Sequence, residues 1–80
     1  MVKEFRHYTA WTDSMAYERG YAGIIGYQRK TPYSMARMLW VIAPNFNSED
    51  DAEISAEHML GQISDINCFG KVIFNDGVAL

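Results

Sequence analysis

The chain carries a single cysteine, Cys68, so no internal disulfide can close, and a reducing compartment is the natural expectation. No Cys-x-x-Cys or His-x-x-x-His spacing occurs, so His7 and His58 have no partners for a structural zinc site. Residues 20–26 hold Gly20, Gly23 and Gly26 but lack the dinucleotide and phosphate-loop spacings. No metal and no cofactor is expected. The longest apolar run, residues 38–43, falls far below the roughly 20 residues of a membrane-spanning helix. The N-terminus meets Lys3, Glu4 and Arg6 at once and offers no apolar signal core. Together these absences predict a cytoplasmic protein that does not enter membranes.

Catalytic chemistry is equally sparse. Glu57 and His58 are adjacent, so a helix cannot aim both at one site. Glu53 and Glu57 share a helical face, as many solvated pairs do. His58 suits the negative end of a helix dipole without any further role. Cys68, at the entrance to a strand, reads as a small buried apolar group rather than a nucleophile. No catalytic residue is assigned, and the chain is not expected to be an enzyme.

What is present is enough for one α+β domain spanning residues 1–80. Apolar residues make up 49% of the 80, which supports a genuine but small core. A homodimer would add buried area at little expense and is a reasonable arrangement for so short a chain. The net charge of −3 conceals an asymmetry. Residues 1–46 hold six basic and three acidic side chains; residues 47–80 hold seven acids and only Lys71. An acidic total argues against general binding to a phosphate backbone, which many lysine and arginine contacts drive.

The C-terminal half reads most clearly. Pro44 and Asn45 end what precedes them, and Asn47 or Ser48 caps a helix whose first turn holds Glu49, Asp50 and Asp51. Ala52, Ala56, Met59, Leu60 and Ile63 then recur on one face, predicting a helix over about 48–64, with Gly61 either capping it early or lying within it. Residues 69–74 read as a strand stopped by the Asn75-Asp76-Gly77 turn. The first ten residues read as one strand, broken at Thr12-Asp13-Ser14. Residues 14–43 admit both helix and strand, because three glycines weaken either assignment; strands over 18–28 and 35–43 forming a hairpin are preferred. The expected architecture is a small, mostly antiparallel sheet of three to four strands with one long helix packed on a face.

Two surfaces stand out. On the helix, at 100° per residue, Ile54 falls opposite the apolar stripe, ringed by Asp50, Glu57, His58, Gly61 and Asp65. An apolar centre in a charged rim is the form of a protein contact, although single exposed apolar residues are also ordinary. The second surface is the N-terminal concentration of tyrosines beside arginines, with Tyr21, Tyr27, Arg29 and Lys30 as its proposed contacts. Such residues suit interfaces and also stack on unpaired bases, yet they equally fill half-buried sheet faces. The partner expected first is a protein with a basic surface patch, contacted through Asp50, Ile54 and Glu57; nucleic acid comes second.

Arg19-Gly20-Tyr21-Ala22-Gly23, Gly26 and Pro32-Tyr33 together resemble the glycine and Pro-Tyr pattern of ribosome modulation factors. That resemblance implies a helical 14–43 and an RNA- or ribosome-associated regulator working through the Tyr/Arg-rich half. The compact, acidic, tyrosine-rich chain is also similar in general character to phage anti-defence proteins, anti-CRISPRs among them. That similarity implies a small inhibitor or regulator of a larger complex.

Overall fold

The computed structural model describes residues 1–40 and 46–77. It shows an α+β fold with a four-stranded antiparallel sheet, one helix and a separate two-stranded sheet. The large sheet has the order β1 (Val2–Glu4), β2 (Tyr8–Tyr17), β3 (Gly20–Arg29), β4 (Arg37–Trp40). Helix α1 (Glu49–Gln62) follows, and β5 (Ile63–Ile66) pairs with β6 (Val72–Phe74). The preferred hairpin within 14–43 is therefore present, and the helical alternative for that stretch is corrected. Residues 41–43 of the expected strand and the Pro44-Asn45 break lie outside the described residues.

The centre of the sheet is the ten-residue pairing of β2 with β3, closed by Glu18 and Arg19 between the partners Tyr17 and Gly20. Glu18 takes the turn at φ 55. The expected break at Thr12-Asp13-Ser14 does not occur: β2 pairs with β3 straight through it, and the Thr12 and Asp13 side chains find strand-compatible partners. Thr12 donates to Glu53 of the helix at 2.8 Å, and the Asp13 side chain accepts the Ser14 N–H at 2.8 Å. The real interruption comes earlier, at residues 5–7, where the Phe5 N–H returns to the Tyr8 carbonyl at 2.8 Å.

Strand alternation gives this sheet two distinct faces. Lys3, Tyr8, Ala10, Thr12, Gly23, Ile25, Tyr27 and Leu39 fall on the helix side by their register. On that side Gly23 is decisive: a Cβ there would lie 2.3 Å from the Ala52 carbonyl oxygen and 3.2 Å from the Ala56 Cβ. The helix backbone thus rests on bare strand backbone. Ala52, Ala56 and Leu60, four residues apart, are fully buried along this line. On the opposite face the indole of Trp11 lies across Gly26, where a Cβ would meet the ring at 2.4 Å. The two glycines that blur the sequence pattern are close-approach sites on opposite faces of one strand.

Ser48 is the N-cap, its hydroxyl accepting the Asp51 N–H at 3.1 Å. The last turn carries no cation of its own, and Lys3 of β1 supplies one. Its ammonium donates to the carbonyls of Ile63 at 2.8 Å and Leu60 at 3.4 Å, where the dipole leaves negative charge.

The helix runs through Gly61 and stops at Ile63, which becomes extended and opens β5. The predicted 69–74 strand is shorter at its start: residues 67–70 form a turn, and β6 begins at Val72. The Asn67 side chain holds that turn by accepting the N–H groups of Phe69 at 2.9 Å and Lys71 at 3.0 Å. This hairpin closes the core, placing Ile63, Ile66 and Val72 against Phe5, Tyr8, Ala10, Ile25, Ala56 and Leu60. Cys68, expected to be buried, is exposed in the turn, because the chain reverses there before the strand begins.

Gly61 sits in the helix with nothing within 4 Å of a would-be Cβ. Gly61→Ala is therefore expected to raise unfolding stability by about 0.5 to 1 kcal/mol. Urea denaturation monitored by circular dichroism checks this.

Candidate interaction surface

The helix face opposite Ala52, Ala56 and Leu60 points to solvent. Ile54 is 61% exposed there, the one large aliphatic side chain on an otherwise polar stretch of that face. Asp50 lies one turn before it, Glu57 and His58 one turn after. Ile54 borders an open groove of about 530 Å³, also lined by Phe46, Asn47, Asp51, Ser55 and His58. Phe46 is half-buried and held by paired backbone hydrogen bonds with Tyr21, both 3.0 Å, so the wall before the helix is anchored to β3. His58 is turned along the helix, its Nε2 3.1 Å from the Gln62 amide nitrogen.

The electrostatics of this face are one-sided. Helix α1 holds five carboxylates, Glu49, Asp50, Asp51, Glu53 and Glu57, and no lysine or arginine. Among the described residues none of the five is engaged in an ion pair. Glu53 is turned inward to Thr12, while Asp50, Asp51 and Glu57 frame Ile54. The surface is an apolar spot in an acidic frame beside an aromatic wall.

The second predicted patch is brought together only in part. Tyr21 and Tyr27 are half-buried on the helix side of β3, Tyr21 beside Phe46 and Tyr27 packed against the core. The Tyr27 and Tyr8 rings meet at 5.9 Å between centroids. Arg29 stacks over the Tyr8 ring at 5.3 Å and donates to the Cys68 carbonyl. Lys30 is ion-paired with Glu4 at 2.8 Å. Tyr27 and Lys30 are thus committed to intramolecular contacts, and Tyr21 lies nearer the helix groove than the other three.

The groove residues missing from the sequence reading are Phe46, Asn47, Asp51 and Ser55. Asp51 and Ser55 follow from the helical period, but Phe46 precedes the helix and enters only through its bridge to Tyr21. No protein-family model matches the chain, and no match emerges among curated proteins or solved structures.

Among the described residues no helix is long and apolar enough to cross a membrane. None of their His, Cys, Asp and Glu side chains gather in threes around a possible metal position.

The Lys30–Glu4 pair has a measurable signature. Lys30 first, and then the Thr9 hydroxyl, hold the Glu4 carboxyl below its ordinary value. A depressed folded value means the pair supports the fold above the unfolded carboxyl's pKa and ceases to do so as pH falls through the folded one. Both groups are largely exposed, so solvent screens the effect. Lys30→Met is expected to move the Glu4 titration, followed by NMR, upward toward an ordinary glutamate.

Proposed function

We propose that this chain is a non-catalytic binding protein whose helix face docks on the basic surface of a larger protein partner. One observation carries the reading: Ile54 stands exposed beside a groove, within a helix whose five carboxylates form no ion pair among the described residues. Buried apolar anchors with a charged rim supply affinity at their centre and orientation at their edge. An acidic frame also steers a basic partner toward the groove and disfavours acidic surfaces. The anchor is Ile54, the rim Asp50, Asp51 and Glu57, and the aromatic wall Phe46.

The biological role that fits is a small inhibitor or regulator that covers a working surface of a larger complex in the cytoplasm. A compact domain without chemistry of its own acts by occupying space, and a rigid helix presents its anchor with little ordering entropy to lose.

The paired substitution Ile54→Ala and Glu57→Lys tests this reading. Both positions lie away from the core, so each change should alter stability by no more than about 0.5 kcal/mol. Wild-type protein immobilised on resin is expected to retain a basic protein from nuclease-treated extracts of its own cells, and the variant to lose it. Undiminished retention by a folded variant would contradict the proposal.

A further inference from the structure

The fold gathers cations that the sequence scatters. The β1–β2 turn, the β3–β4 loop and the β5–β6 turn converge at one end of the large sheet. Arg29 reaches the Cys68 carbonyl, the Lys30 N–H bonds the His7 carbonyl at 3.0 Å, and Gly70 lies against the Tyr8 hydroxyl and Arg37. Residues 4–8, 29–37 and 67–71 hold five of the seven basic side chains and one acid, Glu4, already paired with Lys30. Of the other nine acids Asp65 stands two residues before the β5–β6 turn, and the remaining eight lie farther along the chain from these loops.

Within this basic end Arg29 and Arg37 line a small cleft of about 170 Å³ together with Tyr8, Ser34 and Met35. Tyr8 braces the Arg29 guanidinium from below, so it is pre-positioned. A guanidinium has five donor hydrogens, and the Cys68 carbonyl takes one from Arg29. Among the described residues no carboxylate pairs with Arg29 or Arg37. Gly70, at φ 83, leaves the space beside Arg37 open: a Cβ there would lie 3.0 Å from its Nη1 and 2.9 Å from the Tyr8 oxygen. The cleft suits one oxyanion gripped by two planar cations.

Two aromatic rings stand out from the loops around it. Tyr33 is fully exposed, and its backbone adopts a left-handed φ of 64, which a bulky side chain rarely takes. Phe69, on the facing turn, is 85% exposed. Free rings next to a two-arginine cleft are the parts that hold unpaired bases: the rings stack, the guanidiniums take the phosphate. An acidic peptide would use the arginines but leave both rings without a role.

We propose that this end of the sheet binds single-stranded nucleic acid, with one backbone phosphate between Arg29 and Arg37 and bases stacked on Tyr33 and Phe69. The acidic helix N-terminus does not prevent this. It lies beside Tyr21, toward the far end of a ten-residue strand about 30 Å long, several screening lengths away at physiological salt.

The test is fluorescence anisotropy with a labelled single-stranded oligouridylate at about 50 mM salt, where phosphate contacts are strongest. Arg37→Glu should weaken binding at least tenfold and flatten the salt dependence by about one unit or more. Tyr33→Gly removes the ring and relieves the left-handed backbone, so the fold should be at least as stable while binding drops by roughly fivefold or more. Ile54→Ala, on the helix, should change nothing. Absence of binding, binding unaffected by Arg37→Glu and Tyr33→Gly, or equal binding of an oligoglutamate of matched charge would each overturn the proposal.

Discussion

The contact on which the rest of this structure depends is the seat of α1 on Gly23. A strand and a helix ordinarily keep side chains between their backbones; here the Ala52 carbonyl comes to within 2.3 Å of where a Cβ would stand. Bare backbone against alanines brings the helix low and fixes its roll about its own axis. Once Ala52 and Ala56 face Gly23, Leu60 must enter the core and Ile54 must leave it. Lys3 then holds the helix C-terminus, and Ile63 turns the chain into the hairpin that closes the remaining side of the core. The exposed anchor is a consequence of the packed one.

The same arrangement sorts charge in space. Along the chain the N-terminal half is basic and the C-terminal half acidic, which assigns Lys71 to the acidic side. The β5–β6 hairpin carries Lys71 back to the loops that hold Arg29 and Arg37, while Phe46 and Tyr21 keep the acidic start of α1 toward the other end of β3. The folded molecule therefore offers an acidic helix face and a basic loop end. Each is suited to a ligand of opposite sign, and the acidic first turn of α1 and the loop cations sit toward opposite ends of β3.

How much of this was legible in the sequence follows from which interactions are local. The helix was legible because its cap, its acidic first turn and its apolar stripe all lie within one segment, and Ile54 follows from the period alone. The helix end was harder, since Ile63 continues the apolar stripe while its backbone has already become extended. Residues 14–43 stayed ambiguous because Gly23 and Gly26 lower strand propensity; the Ala52 carbonyl and the Trp11 ring that require them are distant in sequence. Thr12-Asp13-Ser14 looked like a break because its composition is that of a turn, whereas the Glu53 carboxylate that accepts from Thr12 comes from another element. The glycine and Pro-Tyr pattern that resembles that of ribosome modulation factors sits here on β3 and the loop after it, so it carries no helical implication. Of the proposed contacts, the helix set stays together, while Tyr27, Arg29 and Lys30 acquire partners that only the fold supplies.

The most direct test of this account is the thermal unfolding midpoint of Gly23→Ala. In an open strand the exchange would be neutral or stabilising, because alanine loses less backbone entropy than glycine on folding. With the helix carbonyl occupying the position of the new methyl group, the account requires a loss of about 2 kcal/mol or more, a fall in Tm of roughly 10 °C for a domain of this size. An unchanged or higher midpoint would mean that the helix does not rest on this glycine, and the outward placement of Ile54 would lose its physical basis.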